Sequence, residues 1–127
     1  MVDLLADALN IIKVMRNSGR DECKIPASKM IGAVLQILQK EEYIKEFEFV
    51  DDGKSGFYLV KGIGAINECG VIKPRFAVKY VDITKAEEQY LPSKDFGILI
   101  VSTPKGIVTN QKLREMKSGG RLIAYFY

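Results

Sequence analysis

The sequence predicts an α+β fold of two small subdomains, and three observations carry that prediction. Apolar residues recur at helical spacing in two early segments. From residue 44 onward the period changes to two. Glycines at 62 and 64 then mark a break, beyond which short strand-like runs dominate. The 127 residues, 47% hydrophobic and 28% charged, suffice for a core that needs no disulfide or metal staple.

In residues 3 to 17, Leu5, Leu9, Ile12 and Met15, with Ala8, repeat at helical spacing, so this segment is expected to be an amphipathic helix ending before Asn17, Ser18 and Gly19. Cys23 to Pro26 is a short extended piece. Ser28 then precedes a second helix, whose stripe of Ile31, Val34, Leu35 and Leu38 runs to about Glu42. Past Ile44, Phe47 and Phe49 alternate with Glu46 and Glu48. A turn from Asp51 to Gly56 leads into Phe57 to Lys61, which together predict a hairpin. Residues 1–62 therefore form an N-terminal α/β subdomain of order helix, strand, helix, strand, strand.

Residues 63–127 form a second, mainly β subdomain with a short helix. Ile63 to Asn67, Val71 to Lys73 and Phe76 to Val81 are expected strands, separated by Gly70 and Pro74, and a brief helix fits Lys85 to Tyr90. Phe96 to Val101 is almost continuously apolar, the pattern of a strand buried on both faces, and Arg121 to Tyr127 alternates strongly. Both are expected at the centre of the sheet.

Composition narrows the chemistry. The chain has no histidine, which removes imidazole-based triads and zinc sites, and no residue is expected to hold a metal or cofactor. Cys23 and Cys69 are expected to be reduced thiols. The longest wholly aliphatic stretch, Ile98 to Val101, falls far short of the roughly 20 residues that cross a bilayer, and Asp3 and Asp7 contradict a basic leader. A soluble, cytoplasmic protein without a membrane partner is the expectation.

Charge is unevenly divided. Residues 1–62 carry nine Lys/Arg against ten Asp/Glu, and residues 63–127 carry ten against six, for net charges of −1 and +4; the segment 102–121 alone accounts for +4. A local positive excess on a nearly neutral scaffold points to a polyanion met at a defined face. Within that segment, Ser102, Thr103, Pro104, Lys105 and Gly106 follow the apolar strand, and Thr109 is placed to cap a short helix running to Lys117. Pro104 restricts the backbone and Gly106 permits a tight bend. Two hydroxyls suited to ribose and base edges thus stand beside one ammonium suited to phosphate. The same residues also fit an ordinary strand-to-helix turn whose hydroxyls bond back to nearby amides. Gly119 and Gly120 leave backbone approachable, or else simply cap the helix. Arg121, with Lys105, Lys112 and Lys117, adds phosphate-binding charge. Lys73 and Arg75 make a basic bend around Pro74, Lys79 and Tyr80 offer a charge and a stacking face, and Lys29, with Arg16, Asn17 and Arg20, could touch a backbone elsewhere.

These residues resemble a known family, the eighth protein of the small ribosomal subunit, over essentially the full length. The likeness rests on Asp-Leu-Leu-Ala-Asp-Ala-Leu-Asn at 3–10, on Ile25 to Lys29, on Tyr43-Ile44 followed by Phe47, on Lys73-Pro74, and above all on Ser102-Thr103-Pro104-Lys105-Gly106, Thr109, Gly119-Gly120 and an aromatic final strand. The resemblance implies a non-enzymatic protein that binds the central domain of small-subunit ribosomal RNA (rRNA) directly and assists its assembly beside neighbouring small-subunit proteins; some members also bind their own mRNA. It implies RNA contacts at Ser102 to Gly106, with Gly119 and Gly120 flanking them. Three positions depart from the bacterial pattern: Pro104 replaces a common serine, Arg121 stands where glutamate is usual, and Lys79 takes the place of a tyrosine. The turn at 51–53, the bend at 73–76 and the ending at 120–125 are similar to the archaeal and eukaryotic cytosolic branch. Two rival classes remain at this level: an enzyme using Glu87 and Glu88 or the thiols, and a small DNA-binding regulator.

Overall fold

Two patterns of apolar burial divide the chain. In the computed structural model, which describes residues 4–73, 75–93 and 96–127, the backbone falls into two compact units, Met1–Asn67 and Glu68–Tyr127. Among the described residues they contain four α-helices and eight strands, in two antiparallel sheets. The fold is α+β.

In the first unit, α1 (Leu4–Asn17) buries Leu5, Ala8, Leu9 and Ile12. The expected first residue of that helix, Asp3, lies outside the described residues. After β1 (Glu22–Pro26), Ser28 caps α2 (Lys29–Lys40) by accepting a hydrogen bond from the Ile31 amide at 3.1 Å. This satisfies one of the donors a helix start leaves open. Ile31, Val34, Leu35 and Leu38 are each at most 2% exposed, and burial of one such side chain contributes about 1.5–3 kcal/mol. The hairpin of β2 (Glu46–Val50) and β3 (Phe57–Lys61) completes a sheet of order β1-β3-β2. Cys23, Val60 and Phe47 align across it, as do Ile25, Tyr58 and Phe49. Period two therefore puts this set on the face that receives the helices and leaves Glu46 and Glu48 on the other. The Tyr58 ring sits edge-on between Phe47 and Phe49, at 5.7 and 6.0 Å.

Ile63 to Asn67 is not the expected strand. Ile63–Ala65 is a 3-10 turn that buries Ile63 and Ile66. Residues three apart eclipse in such a turn, so an apolar pair at this spacing serves a tight turn as readily as an extended run.

In the second unit, β8 (Gly119–Phe126) is central. β6 (Ile98–Thr103) lies along one side of it, while β4 (Cys69–Val71) and β5 (Ala77–Lys79) pair with its two ends on the other. β7 (Gly106–Thr109) adds to β6. Of the run Phe96 to Val101, Ile98 to Val101 are buried on both faces as expected, whereas Phe96 is 47% exposed ahead of the strand, which continues instead through Ser102 and Thr103, paired with β7 and β8 or with β7 alone. One face packs on α3 (Ile83–Tyr90) and α4 (Asn110–Met116), joining Val78, Leu99, Val101 and Leu122 to Ile83 and Leu113.

A buried polar network fixes the two helices. Glu87 is 2% exposed. It accepts hydrogen bonds from both terminal nitrogens of Arg114, one at 2.8 Å, and from the Asn110 amide. Asn110 in turn accepts from the Leu99 amide at 3.3 Å, and Arg114 also donates to Thr84 at 3.0 Å. A carboxylate at this depth is tolerable only because it is paired and hydrogen-bonded. Arg114→Ala is expected to destabilise the fold by about 3 kcal/mol, because Glu87 would be left as an uncompensated buried charge; urea denaturation checks this.

Burial pushes the Cys23 thiol up to about 11, from an ordinary 9.0. Tyr43 moves the same way, through burial and then the nearby Glu41 charge. A folded-state value raised above the unfolded one gives a contribution fully present below the unfolded value and lost as pH rises through the folded one. Stability is thus expected to fall between pH 9 and about 11, and denaturation midpoints across that window should fall less steeply in Cys23→Val.

Candidate RNA interface

The Ser102 to Gly106 segment is a β-hairpin, not a strand-to-helix turn. Thr103 and Gly106 pair, Pro104 and Lys105 form the tip, and β7 intervenes before the helix. Proline in the second position and glycine in the fourth are preferences of a type I turn. Gly106 has φ of 126°, a region other residues adopt only with strain, although a Cβ there would meet nothing within 4 Å. Its glycine is set by the backbone angle and not by crowding.

The two hydroxyls have different fates. Thr103, 9% exposed, donates to the Gly106 carbonyl at 2.8 Å and accepts from the Lys105 amide at 3.1 Å. It holds the tip together, which is the behaviour of an ordinary turn. Ser102 is half-buried, and no hydrogen bond engages its hydroxyl among the described residues. It lies directly across from Arg121 on β8 and Ile107 on β7, and Arg121 in turn lies across from Ala77 on β5. Directly paired residues point to the same side of a sheet, with Cβ atoms about 4.5–5.5 Å apart. Ser102 and Arg121 therefore stand side by side on the face turned away from α3 and α4.

Gly119 and Gly120 do not cap the helix. Lys117 takes the left-handed position that ends α4, with φ of 50°, and both glycines begin β8 opposite Lys79 and Val78. A Cβ on Gly120 would collide with the Ser102 carbonyl and come within 2.8 Å of the Val101 side chain. Absence of a side chain lets β8 approach β6 here, just past a register shift at Ile100/Val101. Gly120 thus positions Arg121 beside Ser102. A Cβ on Gly119 would press on the Val78 carbonyl at 3.2 Å, so this glycine lets β8 lie close against β5.

The basic residues sort by their partners. Thr109 caps α4 as expected, accepting from the Lys112 amide at 3.2 Å. Arg114 is neutralised by Glu87, and Lys112 stands 3.7 Å from Glu115. Neither carries the positive excess that sequence counting assigned to 102–121. Lys105 at the hairpin tip, Lys117 and Arg121 are exposed. Arg121 reaches the Arg75 carbonyl at 3.5 Å, tying β8 to the bend before β5. Lys73 and Arg75 are exposed on either side of Pro74, which lies outside the described residues. Lys29 is exposed at the first position of α2, in the other unit.

Sequence reasoning gave Lys79 and Tyr80 little weight. Pairing of β5 with the start of β8 puts Lys79 on the same face as Arg121, and Tyr80 is 37% exposed just beyond. No local signal could have shown that, because it depends on which strands meet. Among the described residues no cluster of three or more metal-ligating side chains occurs, and no helix is long and apolar enough to cross a membrane. Glu87, half of the acidic pair considered for acid or base chemistry, is enclosed by Arg114 and Asn110.

The sequence pattern of the family described as Ribosomal protein S8 matches residues 3–127. A relative named small ribosomal subunit protein uS8, from Methanococcoides burtonii, is 49% identical over 128 residues, covering 100% of this chain and 98% of its own. With this match running from the first helix through the Ser102 hairpin to the last strand, the chain belongs to the ribosomal protein S8 family, whose members are structural proteins of the small ribosomal subunit and not enzymes.

Proposed function

We propose that this protein binds rRNA of the small subunit's central domain directly, through the accessible Ser102–Arg121 end of the second sheet, on the face turned away from α3 and α4, and holds a local RNA conformation that later proteins recognise. The observation that carries this reading is the pairing of Ser102 with Arg121 on that face, beside the projecting Lys105 tip. A hydroxyl can both donate to and accept from a base edge or a ribose 2′-hydroxyl, while guanidinium and ammonium groups favour phosphate. Specificity then resides in Ser102 and the contour of the tip, and affinity in Lys105, Arg121 and the adjacent Lys73, Arg75 and Lys79. Thr103, Pro104 and Gly106 shape the tip, while Gly119 and Gly120 act by letting β8 lie close to β5 and β6, which sets Arg121 beside Ser102. Lys29 provides a separate phosphate contact where the positive end of α2 already favours an anion.

The same surface accounts for binding of the protein's own mRNA, should that transcript present the same shape; the two RNAs would then compete. Ribosome association in the cytoplasm, among neighbouring small-subunit proteins, follows from this role.

Ser102→Ala is expected to weaken a cognate rRNA fragment by about 1 kcal/mol, with little effect on random RNA, because a ligand group loses its partner. Lys105→Ala is expected to weaken both RNAs and to flatten the dependence of log affinity on log salt by roughly one phosphate contact. Filter binding or calorimetry at several salt concentrations measures each. Unchanged affinity in both folded variants would remove the site from this face. An RNA lacking 2′-hydroxyls at the contacted positions is expected to bind poorly, and effective competition by duplex DNA would favour a DNA-binding role instead.

A further inference from the structure

We infer that the open edge of β2 docks an extended basic segment of a neighbouring protein, laid beside it as an additional strand. β2 carries none of the residues proposed to meet RNA, so this inference does not rest on that reading. It ends the order β1-β3-β2, and among the described residues it pairs only with β3. Edge strands are commonly blunted by proline, by a bulge or by lysine. Glu46–Val50 contains no proline or lysine, and its register with β3 is unbroken.

The side chains specify what the edge admits. Glu46 and Glu48 share the outer face, while Phe47 and Phe49 share the other, and Phe49 is 56% exposed. A recess of about 70 Å³ lies on the outer face, lined by Glu46, Phe47, Glu48, Leu59 and Lys61. Lys61 stands 3.9 Å from Glu46, and no ion pair engages Glu48 among the described residues. A second copy of β2 would set carboxylates against carboxylates, and RNA would bring phosphates to them; like charges placed together are unfavourable. A strand alternating lysine or arginine with apolar residues meets neither obstacle. Its cations face Glu46 and Glu48, their aliphatic stems cross the recess above Leu59, and its apolar residues cover Phe49.

The test titrates the full-length protein with a labelled peptide of alternating lysine and valine, and with a glutamate and valine control. Anisotropy reports affinity and amide hydrogen exchange reports location. Binding of the basic peptide alone, with exchange slowed in residues 46–50, is the expected result. The double variant Glu46→Lys, Glu48→Lys is expected to bind about tenfold more weakly at low salt, from loss of two exposed ion pairs. Phe49→Thr is expected to weaken binding while the charges stay in place and to leave affinity for an rRNA fragment unchanged. The inference is overturned if exchange at 46–50 never slows, if the acidic peptide binds equally, or if charge reversal leaves affinity unchanged. Protection of 46–50 by the rRNA fragment, or by self-association seen in sedimentation, would equally overturn it by naming a different occupant.

Discussion

The close approach of β8 to β6 at Gly120 is the constraint on which the second unit depends. β8 must satisfy three neighbours at once, with β6 along one side and β4 and β5 at its two ends on the other. A side chain at residue 120 would push the strand off the Ser102 carbonyl. Displacement there would part Arg121 from Ser102 and press β8 toward β5, so that both the pairing with Ser102 and the contact with the Arg75 carbonyl would be disturbed. The hairpin tip and the basic residues thus form one surface because two backbones can touch.

Charge is handled in two distinct ways in this unit. Glu87 and Arg114 are both spent inside, locking α3 to α4 and, through Asn110, to the Leu99 amide. Such a network gains little net stability over a well-packed apolar alternative, but removal of one member is costly. By contrast, among the described residues Arg121 makes only a long contact to a carbonyl, and Lys105 projects from a turn. A formal charge summed over residues 102–121 therefore overstates what an approaching polyanion would encounter.

Much of the fold was legible in the sequence wherever one local cause decided the outcome. The stripes of α1 and α2, the Ser28 and Thr109 caps and the hairpin of residues 46–61 each follow from periodicity or capping chemistry within a short window. Ile63 to Asn67 was misread because the spacing of Ile63 and Ile66 fits two geometries. At the site, the residue types were readable but their division of labour was not. Thr103 and Ser102 look equivalent in the chain, and only the pairing of β6 with both β7 and β8 commits one to the turn and leaves the other beside Arg121. The glycines at 119 and 120 were legible as important but not as strand residues, because the reasons lie in neighbours distant in the chain, the Val78 carbonyl for Gly119 and the Ser102 carbonyl for Gly120.

Thr103 closes its own turn with one donated and one accepted hydrogen bond. The shape of the tip is accordingly settled before any ligand arrives. Association need not freeze a wandering loop, so less ordering entropy opposes complex formation and a larger share of each contact survives as affinity. Rigidity here acts as selectivity: a surface that cannot remould itself rejects partners of the wrong contour.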